Sequence, residues 1–170
     1  MTDLVDRILA QWGRERPDLD LDRAGMGAVM RMTHLLYRVF NPLGEGALES
    51  QGIKQAEFDV MATLRRRGPG QGITPSRLSD ELMTSRAGMT KRIDRLEALG
   101  YLTRVPSPDD RRSFGVVLTP EGVAAIDAAL TAVAGAVGAL TARLDDEERG
   151  KVDEAMRILM RHFADGSAPH

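Results

Sequence analysis

The sequence predicts a mainly α-helical fold with one small β-hairpin, and three observations carry that prediction. Apolar residues recur at helical spacing in MGAVMRMTHLLYRVFNPL, KQAEFDVMATLRR and LDDEERGKVDEAMRILMRHF. Capping residues at Thr74, Thr84 or Ser85, and Thr119 open successive helices, and Thr74 and Thr119 are each followed by proline. After Gly100 the period changes to alternation, with Leu102 and Arg104, then Phe114, Val116 and Leu118, and PSPDD between them.

In chain order, Leu4 to Trp12 has a short helical pattern that RERPDLD interrupts at Pro17. A longer helix begins at Met26 and is expected to end near Leu43, where Asn41-Pro42 and the following glycines break it. Lys54 to Arg66 places Phe58, Met61 and Leu64 on one face and stops at Gly68-Pro69-Gly70. Phe58, Met61 and Tyr37 read as core. Thr74-Pro75 then opens a short helix with Leu78 and Leu82 four apart, and a second cap starts RAGMTKRIDRLEAL, which stops at Gly100. Two short helices joined by a tight turn make a helix-turn-helix, and the hairpin that follows carries Arg111 and Arg112 near its tip. Helix, turn, helix and hairpin in this order predict a winged helix.

Thr119-Pro120-Glu121 opens a helix running to about Arg143, whose alanines and glycines allow another helix to approach closely. Its stretch from Val123 to Ala142 has the length of a membrane span, but Asp127 interrupts it and it is only mildly apolar, so no membrane partner is expected. The last helix carries acids in its first turn and Arg161 and His162 in its last, as the helix dipole favours. The division expected is 1–50 for N-terminal helices, 51–120 for the winged helix-turn-helix, 121–165 for C-terminal helices and 166–170 for a frayed tail.

The net charge is −2, which as an average argues against a polyanionic partner. The distribution says otherwise. Between Ser85 and Arg112 lie Arg86, Lys91, Arg92, Arg95, Arg104, Arg111 and Arg112 against Asp94, Glu97, Asp109 and Asp110, a local +3 on an otherwise acidic body. That is the footprint expected of a protein touching DNA through one surface, and a solvated charged face would share it. On a helical wheel Met89, Ile93 and Leu96 point to the core, and Lys91 points outward most directly, with Arg95 beside it. Lys91 and Arg95 are candidates for base edges or phosphates. Gly88 permits close approach, and Ser85, Arg86 and Thr90 can reach phosphates. Arginine at the hairpin tip suits a narrow minor groove.

The chain has no cysteine, which excludes thiolate metal sites and fits a reducing cytoplasm. It shows no HExxH, no nucleophile elbow and no phosphate-binding GxxxxGK, so no enzyme is expected, and no cofactor or metal site. The N-terminus carries acids early and has no uninterrupted apolar stretch, so a secretory or transit signal is not expected.

MTKRIDRLEALGYLTR, DDRRSFGVVLTPEG and LDDEERGKV, in this order and spacing, resemble the MarR family of transcription regulators over nearly the whole chain. The resemblance implies a homodimer built from the N- and C-terminal helices. Each protomer would present a recognition helix to the major groove and a wing to the minor groove. It further implies that Asp110 pairs with a nearby arginine to orient the wing, leaving Arg111 or Arg112 to insert. The expected function is a ligand-responsive repressor acting on a pseudo-palindromic duplex site.

Arg92 falls on the buried flank of the recognition helix, where a charge needs a partner or a ligand. The family pattern is apolar at this position. Arginine here, together with Trp12 in RILAQWGRERPDLD, resembles a subgroup that responds to urate or to small carboxylates such as trans-aconitate. Asp59 and Arg104 match its remaining ligand residues, although both occur widely in the family. The resemblance implies anion capture by Arg92 and Arg104, covered by Trp12. The competing reading is a structural ion pair between Asp59 and Arg92.

Overall fold

The computed structural model describes residues 2–68, 72–106 and 114–163. Eight α-helices and one two-stranded antiparallel hairpin follow in the order α1 (Leu4–Glu15), α2 (Arg23–Leu35), α3 (Asn41–Glu49), α4 (Gln55–Arg67), α5 (Pro75–Glu81), α6 (Arg86–Ala98), β1 (Leu102–Pro106), β2 (Phe114–Leu118), α7 (Pro120–Thr141) and α8 (Asp146–Phe163). This is the mainly helical architecture with a hairpin wing that the sequence predicts.

One boundary is corrected. The helix beginning at Arg23 does not end at Asn41-Pro42 but continues to Glu49 through a π-helical turn, Leu36–Phe40. Proline lacks an N–H and its ring collides with the carbonyl four residues earlier. In the wider turn the Asn41 N–H donates to the Leu36 carbonyl, five residues back, and the rod passes Pro42 unbroken. Tyr37, expected in the core, lies in this turn and is 64% exposed, because none of the described residues packs over that side. Met61 is fully buried as expected and Phe58 packs half-buried against the core.

The core lies where α4, α5, α6 and the hairpin meet α3 and α7. Leu48, Val60, Leu78, Met89, Ile93, Leu96, Val116 and Ile126 are all essentially excluded from solvent. Burying such side chains is the dominant favourable term in folding. α1 stands apart from this core and packs on α2, burying Val5 and Leu9. Arg31 of α2 ties it down, donating to Asp3 at 2.6 and 3.1 Å and to Asp6 at 2.5 Å. The Arg31 guanidinium holds the Asp3 carboxyl down at about 2, with the Asp6 backbone N–H adding to the effect.

α7 is long and apolar enough to cross a membrane by length and composition alone, and little of it is buried in the protomer. Its inner side packs on α3 and α4, and Arg65 of α4 holds Asp127 by two hydrogen bonds of 2.7 and 3.1 Å. Leu130 and Val137 of α7 and Val152, Met156, Ile158 and Met160 of α8 remain exposed, as do Met26, Val29, Leu36 and Phe40 of the α2–α3 rod.

Candidate nucleic-acid interface

α5 and α6 form the helix-turn-helix. The Thr74 hydroxyl accepts from the Arg77 N–H and Pro75 takes the first helical position, so α5 starts where the sequence places it. Of the two candidate caps for α6, Ser85 is the one used, its hydroxyl accepting from the Gly88 N–H at 3.1 Å. Met89, Ile93 and Leu96 are buried and fix the rotation of α6 about its axis. Ser85, Arg86, Thr90 and Lys91 therefore face solvent, with Gly88 half-buried among them.

α6 ends at Gly100, whose φ of +76° suits glycine; its N–H donates to the Glu97 carbonyl and the Tyr101 N–H to that of Leu96. β1 and β2 then pair in register from Leu102 with Leu118 to Pro106 with Phe114. Ile73 adds a bridge to Val116, with N–H to O distances of 2.9 and 3.3 Å, which seats the hairpin beside α5.

The joint between hairpin and α7 was invisible to sequence reasoning except as a cap. Thr119 caps α7 by accepting from the Gly122 N–H at 3.0 Å, while its hydroxyl donates to the Gly100 carbonyl at 2.6 Å. Its own N–H donates to the Tyr101 carbonyl at 3.0 Å. Gly122 passes so close beneath Tyr101 that a Cβ there would lie 2.9 Å from its carbonyl carbon. The end of the recognition helix, the wing and the first turn of α7 thus share one knot.

The basic side chains differ in how far the protein itself engages them. Lys91 is exposed and no ion pair holds it among the described residues. Arg86 is exposed and 3.8 Å from Asp80, a loose pair. Arg95 is different: it pairs with Glu57 of α4, which is only 4% exposed, so it reaches DNA only by giving up that partner. Glu57 also accepts from the Lys54 N–H at 3.0 Å and so anchors the start of α4. Glu57 is not among the residues singled out from the sequence; its place three residues after Lys54, the cap of α4, as in a capping box, was the available signal. The Thr90 hydroxyl donates back to the Arg86 carbonyl at 3.0 Å. Asp110, Arg111 and Arg112 lie outside the described residues.

No hydrogen bond or ion pair among the described residues links the four residues assigned to ligand to one another. Trp12 is on α1 and 51% exposed. Asp59 accepts from Gln55 at 2.8 Å, and Arg92 is half-buried. Among the described residues no ion pair joins Asp59 to Arg92, so the structural bridge is not formed. Arg104 is the most firmly held of the four: it donates to Glu97 at 3.0 Å and to Asp94 at 2.6 Å, both on α6, and lies 4.6 Å over the Phe114 ring. It lines a cavity of about 250 Å³ with Pro75, Ser76, Arg86, Thr90, Ile93 and Phe114.

A capped helix with a basic outer face, set in a helix-turn-helix and followed by a hairpin knotted to its C-terminal end, defines a winged-helix DNA-binding protein. Comparison with known proteins narrows this. The MarR family model matches residues 51–113. The chain is 40% identical over 124 residues to the HTH-type transcriptional regulator PecS of Dickeya dadantii, covering 72% of each chain. It is 31% identical over 94 residues to the multiple antibiotic resistance protein MarR of Salmonella typhimurium, covering 55% of this chain and 63% of that one. Among solved structures, a mutant MarR of E. coli complexed with operator DNA superposes with a TM-score of 0.66 at 25% identity, covering 78% of this chain and 94% of that one. YusO of Bacillus subtilis shares the fold, with a TM-score of 0.66 at 21% identity over 84% of this chain and 99% of that one. The protein belongs to the MarR family. Its relatives and structural neighbours are transcription regulators and not enzymes.

Proposed function

We propose that the protein is a homodimeric repressor that binds a pseudo-palindromic duplex site in the cytoplasm and is released from it by a small anionic metabolite. The observation that carries the DNA reading is the orientation of α6: its buried face leaves Lys91, Arg86 and the Ser85 cap outward on a rigid helix. Supporting the dimer, α8 and one side of α1–α3 and α7 carry large apolar side chains that none of the described residues covers. A second copy buries them, and two-fold symmetry then sets half-sites about one helical turn apart, roughly 10 bp. The family resemblance adds Arg111 or Arg112 as the side chain that inserts into the minor groove, with Asp110 pairing a nearby arginine.

Arg104 supports the effector reading. It bridges the recognition helix and the wing through Asp94, Glu97 and Phe114, and the cavity beside it is also lined by Arg86. An anion entering there competes with Asp94 and Glu97 for the Arg104 guanidinium, loosening wing from helix. Urate and trans-aconitate are the candidates that the subgroup resemblance supplies, with Trp12, Asp59 and Arg92 as a second ligand locus.

Fluorescence anisotropy on the DNA immediately upstream of the gene tests both parts. Lys91→Ala should weaken binding and lower the salt slope by about one unit for each phosphate that the lysine neutralises. Equal affinity and slope would remove α6 from the interface. Urate and trans-aconitate, against a neutral aromatic control, are then titrated into the complexes of wild type, Arg104→Ala and Arg92→Ala. Loss of response in one variant assigns the ligand locus; a wild type that no anion releases leaves a DNA-binding regulator without this effector.

A further inference from the structure

We infer that Met83 is an apolar DNA contact: its side chain packs on a carbon surface of the duplex, a thymine methyl or a deoxyribose edge, beside the recognition helix. The inference rests on the DNA-binding reading above. Met83 sits in the turn between α5 and α6 and is 94% exposed, the highest value among the large apolar residues described. It is also the one non-glycine residue among those described with a positive φ, +45°. Side chains other than glycine, asparagine and aspartate adopt that region reluctantly.

The turn itself is not loose. The Met83 N–H donates to the Asp80 carbonyl at 3.3 Å and the Thr84 N–H to that of Ser79 at 2.9 Å. Ser79 is buried, and Leu82 packs against the core. These anchors hold the Met83 side chain out into solvent in a backbone conformation that glycine would take more readily. Folding of the protomer gains nothing from it there, so its use is in what covers it.

The position says what that is. Most of the other exposed large apolar residues lie on α1–α3, α7 and α8, the surfaces assigned above to a second copy. Met83 instead immediately precedes Thr84 and the Ser85 cap, at the N-terminal end of the helix from which Arg86 and Lys91 face outward. DNA covers that end. The thymine methyl is the apolar group that the major groove exposes, and residues at the N-terminal end of a recognition helix are those that reach base edges. A flexible, polarisable thioether adapts to such a surface better than a branched side chain.

The test uses full-length wild type, Met83→Ala and Met83→Gly, with a duplex selected by the wild type from random sequence and made with thymine or with deoxyuridine throughout. Both variants should bind the thymine duplex at least about four-fold more weakly, the equivalent of one buried CH₂. Met83→Gly should at the same time keep or raise the wild-type Tm, since glycine accepts the positive φ. If the difference between wild type and Met83→Ala vanishes on deoxyuridine DNA, the partner is the thymine methyl; if it persists, the partner is the sugar edge. Wild-type affinity in both variants overturns the inference, as does wild-type affinity in Met83→Gly alone, which would assign the effect to turn geometry. A wild type that selects no duplex overturns the DNA-binding reading as well.

Discussion

Gly122→Ala sets two effects against each other at one residue. Alanine in a helix is favoured over glycine by up to about 1 kcal/mol. The added methyl group, however, would lie 2.9 Å from the Tyr101 carbonyl carbon and 3.1 Å from its Cα, and closer still to its oxygen. All three are backbone atoms, so no rotamer change relieves the clash. The first turn of α7 must retreat from the end of α6, stretching the bonds from Thr119 to the Tyr101 and Gly100 carbonyls, now 3.0 and 2.6 Å. Each such bond is worth about 1 kcal/mol net, and overpacking itself costs about 1–3 kcal/mol. Set against the helix preference, this leaves a destabilisation of about 2–4 kcal/mol. For a chain of this size that lowers Tm by about 5–15 °C. Calorimetry at fixed protein concentration measures it, because association shifts Tm by mass action. A Tm equal to or above that of the wild type would refute the knot as the constraint at this position.

Asp3 sets the acid limit of α1. Its folded pKa of about 2 lies below the ordinary carboxylate value, so its pair with Arg31 stabilises the docked helix above about pH 4. That contribution is lost as pH falls towards 2. Fluorescence of Trp12, the chain's single tryptophan, should report a transition across this window that Arg31→Ala abolishes. A wild-type signal unchanged between pH 5 and 2 would contradict the clamp. Arg95→Ala leaves the buried Glu57 carboxylate with the Lys54 N–H alone, and should cost about 1–3 kcal/mol in denaturant unfolding. Adding Glu57→Gln should recover part of that loss, and additive effects of the two changes would argue against the pairing. Arg104→Lys keeps the charge but gives up the forked hydrogen bonds to Asp94 and Glu97 and the stack over Phe114. Amide exchange in β1 and β2 should accelerate while α4 is unaffected.

Much of the DNA-facing domain was legible because local signals and long-range packing agree there. Thr74-Pro75, Ser85 and Thr119-Pro120 start helices where the structure starts them. The periodicity of Met89, Ile93 and Leu96 decides by itself which side of α6 faces out. Asn41-Pro42 misled because a proline's cost can be absorbed by a change of hydrogen-bond pattern that has no sequence signature. Tyr37 misled because an apolar stripe in a protomer does not say whether it packs on its own core. The sequence offers Arg95 to DNA and Arg104 to a ligand; their partners Glu57, Asp94 and Glu97 lie 38, 10 and 7 residues away in sequence, and only the fold fixes those pairings. Glycine at 122 reads as a poor helix residue, and its reason, a passing carbonyl, belongs to another element.

The π-helical turn at Leu36–Phe40 also acts as a phase shifter. A residue beyond the α-helical repeat rotates everything downstream by about 100° around the axis. One unbroken rod can therefore turn its α2 half towards α1, where Gly27 lies against Leu9, and its α3 half towards α7, where Leu48 is buried. In a perfectly regular helix those two faces would be locked in one angular relation. Removing a single residue between Leu36 and Phe40 would bring the halves back into step and force the chain to choose which of the two neighbours it keeps.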